Sequence, residues 1–507
     1  MKTLKNLYLF ALAIGTLLFS LAPSAKAAKI QMVKQTLRGE GQMLHVQSKD
    51  VDGDRHAELV TSSRRGKPGQ IIRTMHYWRA EKNGFRASPT QSIDFKANIV
   101  GFDICDVTPH PGHEVVLLSN EDVQVFHRAT DAQPTAPYQT TALSLFPIKP
   151  ALSVPDPADV PPMELCRTPK GGNTELWIPM VRGTEVFEVT PSGLTSVGIL
   201  KVTPTSTHWV PDQFRGPRMR RDYAVLTQLA FPVLHSMDAD ADGDDDCYAM
   251  IEDRLWLFLR DNGKLNTTPA FQHDFNLRTA DEWREDKNRL QIHLADMTND
   301  GLPEAITVKN SGKIQKMKTE TRVYKGIGAK GFQTRPIDVR KVDGYGTPEG
   351  VLDVNNDGAT EILEPVMEMN PVAIARFLLT RSIEMQFRSL RIEKNRLVPG
   401  EALGIDFKVD PGGSGVKGAL PLLGQDVNGD QLTDRVDLGE GETVSVFLGR
   451  KGDPVFEETA AFTASVVSTQ RGDWFVPRSG RPASIVIFYP KDTQRGNTLT
   501  VFWNTMK

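Results

Sequence analysis

An all-β fold made from one repeated four-stranded unit is predicted by three features of the 507-residue sequence. An Asp-rich nonapeptide recurs, each copy runs into an apolar, β-prone stretch, and successive copies stand 50–73 residues apart. Such intervals suit one four-stranded blade per copy, and the arrangement that stacks blades of this kind into one body is a ring, the β-propeller. An apolar content of 39%, with 41 Gly and 33 Pro, fits a turn-rich folded chain rather than a disordered one.

Five copies are complete. Asp50, Asp52, Asp54 and Glu58 stand at loop positions 1, 3, 5 and 9 of the first. The same positions hold Asp238, Asp240, Asp242 and Asp246, then Asp296, Thr298, Asp300 and Glu304. Asp353, Asn355, Asp357 and Glu361 follow, and the last copy has Asp426, Asn428, Asp430 and Asp434. One such loop would read as an ordinary Asp/Asn/Gly turn. Five in one register, each followed by a strand, call for a common chemical purpose.

That purpose is a hard cation. Ca²⁺ takes six to eight oxygens at about 2.3–2.6 Å, and a tight loop turns positions 1, 3 and 5 inward together. The carbonyl of position 7 and the acid at position 9 complete the shell. Zinc and copper are excluded by the absence of Cys and His at these positions. An EF-hand is excluded by loop length and by the β-prone residues after position 9. Cations at equivalent places in successive blades are structural, since a single active site needs no such repetition.

In this register three degenerate copies emerge. Asp106 and Glu114 hold positions 1 and 9 of one; Arg167 and Glu175 of another; Val476 and Ser484 of the last. They lack most ligands and are expected to hold no metal. Position 1 therefore falls at 50, 106, 167, 238, 296, 353, 426 and 476, giving eight blades, or seven if one degenerate copy is not a blade. In the second blade strands are expected over 98–105, 115–119, 123–128 and 138–146. Third strands elsewhere read 255–259 and 444–448. The last blade is expected to run 464–468, 484–488 and 498–503 and then stop, leaving residues 29–37 to supply its outer strand and close the ring, which removes open sheet edges.

The loops resemble the FG-GAP/VCBS repeat family, also seen in integrin α-subunits, whose Asp-x-[Asp/Asn]-x-Asp-Gly-x-x-[Asp/Glu] motif matches at 50–58, 238–246, 296–304, 353–361 and 426–434. The segment 446–456 is similar to the family's strand after the loop. The resemblance implies a propeller with calcium in peripheral loops. It implies no single function, since members include adhesion modules, lectin-like proteins and polysaccharide lyases. Arg55 and Gln431 replace the position-6 Gly, so those two loops are expected to turn slightly differently.

Three residues before position 1, the inner strands carry Gln47, Asp103, Glu164, His235, His293, Gly350, Leu423 and Asp473. Asp103, Glu164, His235 and His293 either line the central channel as hydrogen-bonded polar groups, the plainer expectation, or act as acid and base or bind a second metal at its mouth. Alternating side-chain direction would instead turn them between blades. Cys105 and Cys166 occupy one position in adjacent blades; with Cys247 they make an odd count, so buried free thiols are expected, a disulfide being the alternative. His110 and His113 are expected to be exposed. The basic cluster 213–221 is expected to be a solvated loop.

The chain start reads as an export signal: Lys2 and Lys5, an uncharged apolar stretch from Leu7 to Leu21, and Ala25-Lys26-Ala27 for a peptidase. Residues 1–27 are thus a signal peptide and 28–507 a single propeller, periplasmic or secreted after cleavage near Ala27. A stretch this short argues against a membrane span. The net charge of −3 has no basic excess of the kind nucleic acid would require. The expected role is a monomeric, calcium-stabilised binding or scaffold module for a protein or polysaccharide. An aromatic content of only 7% weighs against sugar stacking. The alternative is a calcium-dependent, lyase-like polysaccharide enzyme using the channel mouth.

Overall fold

The structure, a computed structural model, describes residues 30–506 apart from 68–69, 109–111, 130–135, 153–160, 210–225, 280–281, 283–288, 313–316, 347, 349, 369–370, 381, 411–414, 418, 439–441, 453, 468–470 and 478–480. The signal segment, His110 and the basic cluster 213–221 lie outside the described residues. Among those described, no helix is long and apolar enough to cross a membrane.

Eight blades of four antiparallel strands form the ring. Blade 1 spans 42–95, blade 2 99–147, blade 3 166–200, blade 4 233–274, blade 5 289–342, blade 6 350–399 and blade 7 419–465. Blade 8 takes three strands from 471–504 and its outer strand, Met32–Arg38, from the start of the chain, with Met32 opposite Asn504 and Arg38 opposite Thr498. The inner strand of blade 8 is Arg471–Phe475, in register with Ser484–Phe488. The expectation of an inner strand over 464–468 is corrected: Phe462–Ser465 is the outer strand of blade 7, paired to Thr443–Phe447.

Among the described residues the core consists of eight apolar clusters, one at each seam between neighbouring blades. Strand alternation explains how one strand serves two seams. On Asp246–Ile251, Tyr248 and Met250 face blade 5, whereas Cys247, Ala249 and Ile251 face blade 3. Both faces are buried, so second strands such as Glu114–Ser119 and Ser484–Phe488 read as unbroken apolar runs.

Two long intervals come from insertions. Between blades 3 and 4 a hairpin pairs Thr205–Trp209 with Leu226–Ala230. In blade 6 the third strand, Ser382–Glu393, outgrows its fourth strand and pairs further with Leu403–Asp410, while helix Pro371–Thr380 joins its second and third strands.

Candidate metal centre

All five Asp-rich loops connect the first and second strands of their blades, in blades 1, 4, 5, 6 and 7, and each folds around its own carboxylates. Position 1 gathers backbone N–H groups: Gly53 and Arg55 donate to Asp50 at 2.7 and 2.8 Å, Ala241 and Gly243 to Asp238 at 2.7 and 2.9 Å. Asp296 and Asp353 receive the N–H groups of positions 5 and 6, and Asp426 those of Gly429 and Gln431. Position 5 closes an Asx turn on the N–H two residues on, at 2.8–3.1 Å in every loop. Position 9 accepts the N–H of position 2 at 2.7–3.0 Å.

This winding demands left-handed backbone at position 6, where φ is 98°, 83° and 92° at Gly243, Gly301 and Gly358. Arg55 and Gln431 adopt the same region, at 67° and 68°. The expectation that these two loops turn differently is therefore corrected: they turn alike and carry the steric cost of a Cβ there.

One carboxylate oxygen each from Asp50, Asp52 and Glu58 falls within 4.8 Å of the others, and likewise from Asp238, Asp240 and Asp246. Oxygens on one calcium, each about 2.3–2.6 Å from it, lie at such separations. Asp240 Oδ1 and Asn355 Oδ1, both at position 3, are buried without a hydrogen-bond partner. The donor set is all oxygen, so the residues fit a calcium ion. Thr298 donates its hydroxyl proton to Glu304 Oε1 at 3.2 Å, which leaves the oxygen's lone pairs for a cation.

The acids at position 9 are buried, Glu58 at 2%, Asp246 at 1%, Glu304 at 0%, Glu361 at 3% and Asp434 at 0% exposure. Burial, the largest cause, raises their pKa to about 8 for Glu58, about 7 for Glu304, Glu361 and Asp434, and about 6 for Asp246. Neighbouring loop acids push in the same direction, whereas the position-2 N–H opposes.

The degenerate loops satisfy the same position without an acid cage. In blade 2, Glu114 accepts from Val107 N–H at 3.0 Å and Thr108 Oγ1 at 2.8 Å. In blade 3, Glu175 is clamped by Arg260 of blade 4, Nη1 to Oε1 at 2.7 Å and Nη2 to Oε2 at 3.0 Å, with both side chains buried. In blade 8, Ser484 Oγ accepts the Asn504 N–H at 3.0 Å.

The loops share one rim of the ring and are stitched along it. The position-8 N–H donates to the loop of the preceding blade at Ala57–Pro477, Asp245–Lys170, Thr360–Asp296, Thr433–Val354 and Ala483–Asp426, at 2.8–3.2 Å. His113 Nδ1 lies 2.5 Å from the Asp50 carbonyl oxygen, so this half-buried residue joins the rim rather than being exposed as expected.

The inner-strand acids and histidines do not form one acid–base set. Asp103 is fully buried between blades, its Oδ1 accepting from Lys49 Nζ at 2.9 Å and its Oδ2 from Leu165 and Cys166 N–H at 2.9 and 3.0 Å. Glu164 is mostly exposed and faces Arg167 at 3.2 Å. Burial, the first cause in each case, lowers the pKa of His235 and His293; Arg167 adds to it at His235, and His235 adds to it at His293. Cys105 and Cys166 are joined as a disulfide with Cα atoms 6.3 Å apart, which corrects the expected free thiols: adjacent inner strands approach closely enough here to allow the bond. The convergence of Asp103 with these two sulfurs is therefore no metal site. Cys247 is free, in the seam between blades 3 and 4, and burial raises its thiol pKa.

No protein-family model and no curated protein matches the chain. Among solved structures it is similar to the Dos1 propeller, at 8% identity over 93% of this chain and 95% of that one, TM-score 0.37. It is similar to the WD40 domain of SCAP from fission yeast, at 7% identity over 94% and 95%, TM-score 0.38. A protein from Lactobacillus plantarum aligns at 10% identity over 80% and 98%, TM-score 0.29. With TM-scores this low, the likenesses add nothing to the eight-bladed propeller that the strand pairing itself establishes.

Proposed function

We propose that the chain is an exported, calcium-stabilised propeller of the FG-GAP/VCBS kind that serves as a binding or scaffold module. The observation that carries the calcium reading is the buried acid at position 9 of five equivalent loops, joined by converging loop carboxylates in blades 1 and 4. Burial makes each of these carboxylates a poor anion by itself. A divalent cation among the loop oxygens restores the charged form and stabilises the rim by mass action. Asp50, Asp52, Asp54 and Glu58 would hold it in blade 1, and the matching residues in blades 4 to 7. Export is supported by the leader-like start of the chain and by the Cys105–Cys166 disulfide, a bond that persists in oxidising compartments.

A binding role is supported by the fold, a rigid ring with long insertions in blade 6 and between blades 3 and 4. The lyase-like alternative loses its main support, because Asp103 is consumed in joining blades 1, 2 and 3.

The test is a thermal melt of residues 28–507 in millimolar calcium and again after chelation. A site held at 100 times its Kd contributes about 2.7 kcal/mol. A fall of several degrees on chelation, reversed by calcium and not by magnesium, is expected. Identical melts would remove the calcium assignment.

A further inference from the structure

The five acid loops are not electrostatically alike. In each blade the residue at position 10 pairs with a residue near the end of the third strand: Leu59 with Trp78, Cys247 with Phe258, Ala305 with Tyr324, Ile362 with Leu390 and Arg435 with Phe447. The next residue along the third strand therefore comes level with the position-9 acid. That residue is Arg79 in blade 1, Leu259 in blade 4, Lys325 in blade 5, Arg391 in blade 6 and Leu448 in blade 7.

The basic residues reach the loops in blades 1 and 5. Arg79 Nη2 is bonded to Asp52 Oδ2, at position 3. Lys325 Nζ lies 3.0 Å from Asp300 Oδ2, at position 5. In blade 4, where leucine stands, the same position-3 carboxylate keeps an oxygen without any hydrogen-bond partner, at Asp240 Oδ1. In blade 7 the neighbouring Arg435 is turned to Asp437, at 2.9 Å, and lies over the Phe447 ring at 4.2 Å. In blade 3 the same place holds Glu188, opposite Glu175, and it is Arg260 of blade 4 that holds both oxygens of Glu175 from across the seam.

We propose that this one third-strand position decides which loops take a cation. Arg79 and Lys325 are built-in counter-ions that a calcium ion must displace in blades 1 and 5, whereas Arg391 of blade 6 donates to Glu393 Oε1 at 2.5 Å. Leu259 and Leu448 place no charge beside the loops of blades 4 and 7, so these two sites are tighter than those of blades 1 and 5. A fixed guanidinium or ammonium beside a ligand oxygen repels a divalent cation and occupies the lone pairs it needs. The inference rests on the calcium reading above.

The experiment is calorimetric titration of calcium chloride into chelator-treated residues 28–507 at about 0.15 M KCl, where long-range surface charge is screened. Two sites at least tenfold weaker than the tightest are expected, those of blades 1 and 5. Arg79→Gln and Lys325→Gln should each add one site to the tight class, and Leu259→Lys should remove one. Arg79 is 40% and Lys325 36% exposed, so their amide variants keep the fold. Five equivalent sites, or affinities unmoved by Arg79→Gln and Lys325→Gln, would overturn the proposal while sparing the calcium reading. No calcium bound by any form would overturn both.

Discussion

Replacing Arg260 by Met should strand a buried carboxylate in the seam between blades 3 and 4. Arg260 gives two hydrogen bonds to Glu175, at 2.7 and 3.0 Å, one from Nε to the Asp245 carbonyl at 2.9 Å and one from Nη1 to the Gly263 carbonyl at 3.1 Å. Its side chain is 1% and that of Glu175 3% exposed, so solvent screens neither. Met fills most of the volume but leaves Glu175 with the Trp177 indole N–H, at 3.0 Å, as its remaining listener in the site. Breaking a buried pair from one side costs about 3–5 kcal/mol. Unfolding entropy is about 2.1 cal/mol/K per residue, or about 1 kcal/mol/K over residues 28–507, so the melting temperature should fall by about 3–5 °C. Differential scanning calorimetry measures this directly. Glu175→Gln combined with Arg260→Met should regain at least about 2 kcal/mol, because no charge is then stranded. Arg260→Lys should fall between, since an ammonium cannot copy the two-pronged contact. An Arg260→Met melt within about 1 °C of the parent, or a double variant no better than the single, would refute the reasoning.

Further outcomes follow from the same geometry. Cys105→Ser with Cys166→Ser opens a loop of 61 residues and should cost about 4 kcal/mol on chain entropy, read as a lower melting temperature that reductant no longer shifts. Arg55→Gly and Gln431→Gly relieve a Cβ at φ 67° and 68° and should each stabilise by up to about 1 kcal/mol, measured by urea unfolding in calcium. His76 is fully buried between Ser63 and Ser92, and burial, with Arg65 adding, lowers its pKa to about 4. Its folded value lies below the unfolded one, near 6.5, so its neutral form is no liability above pH 6.5. Stability drains away as pH falls from 6.5 to 4, reaching about 3 kcal/mol below that range. Comparing stability against pH for the parent and His76→Gln isolates this share, and parallel curves would dismiss it.

The loops were legible because their chemistry is local. Nine consecutive residues carry both the ligands and the turn, so the spacing Asp50, Asp52, Asp54, Glu58 could be recognised five times, and the alternating strands after it set the blade count. Ring closure by Met32–Arg38 was legible too, since blade 8 ran out of chain one strand short. What depended on how blades face one another was not. Arg260 and Glu175 are 85 residues apart, and nothing in either neighbourhood marks them as a pair. Asp103 looked like a channel acid until strand alternation turned it towards Leu165 and Cys166. The Cys105–Cys166 bond required the 6.3 Å approach of two inner strands, a distance that loop insertions and blade twist decide together. The sequence by itself determined the repeat, the strand periodicity and the acid loops, because these interactions close within a few residues. Only the tertiary structure decided which charges meet across seams, because that depends on packing angles to which every blade contributes.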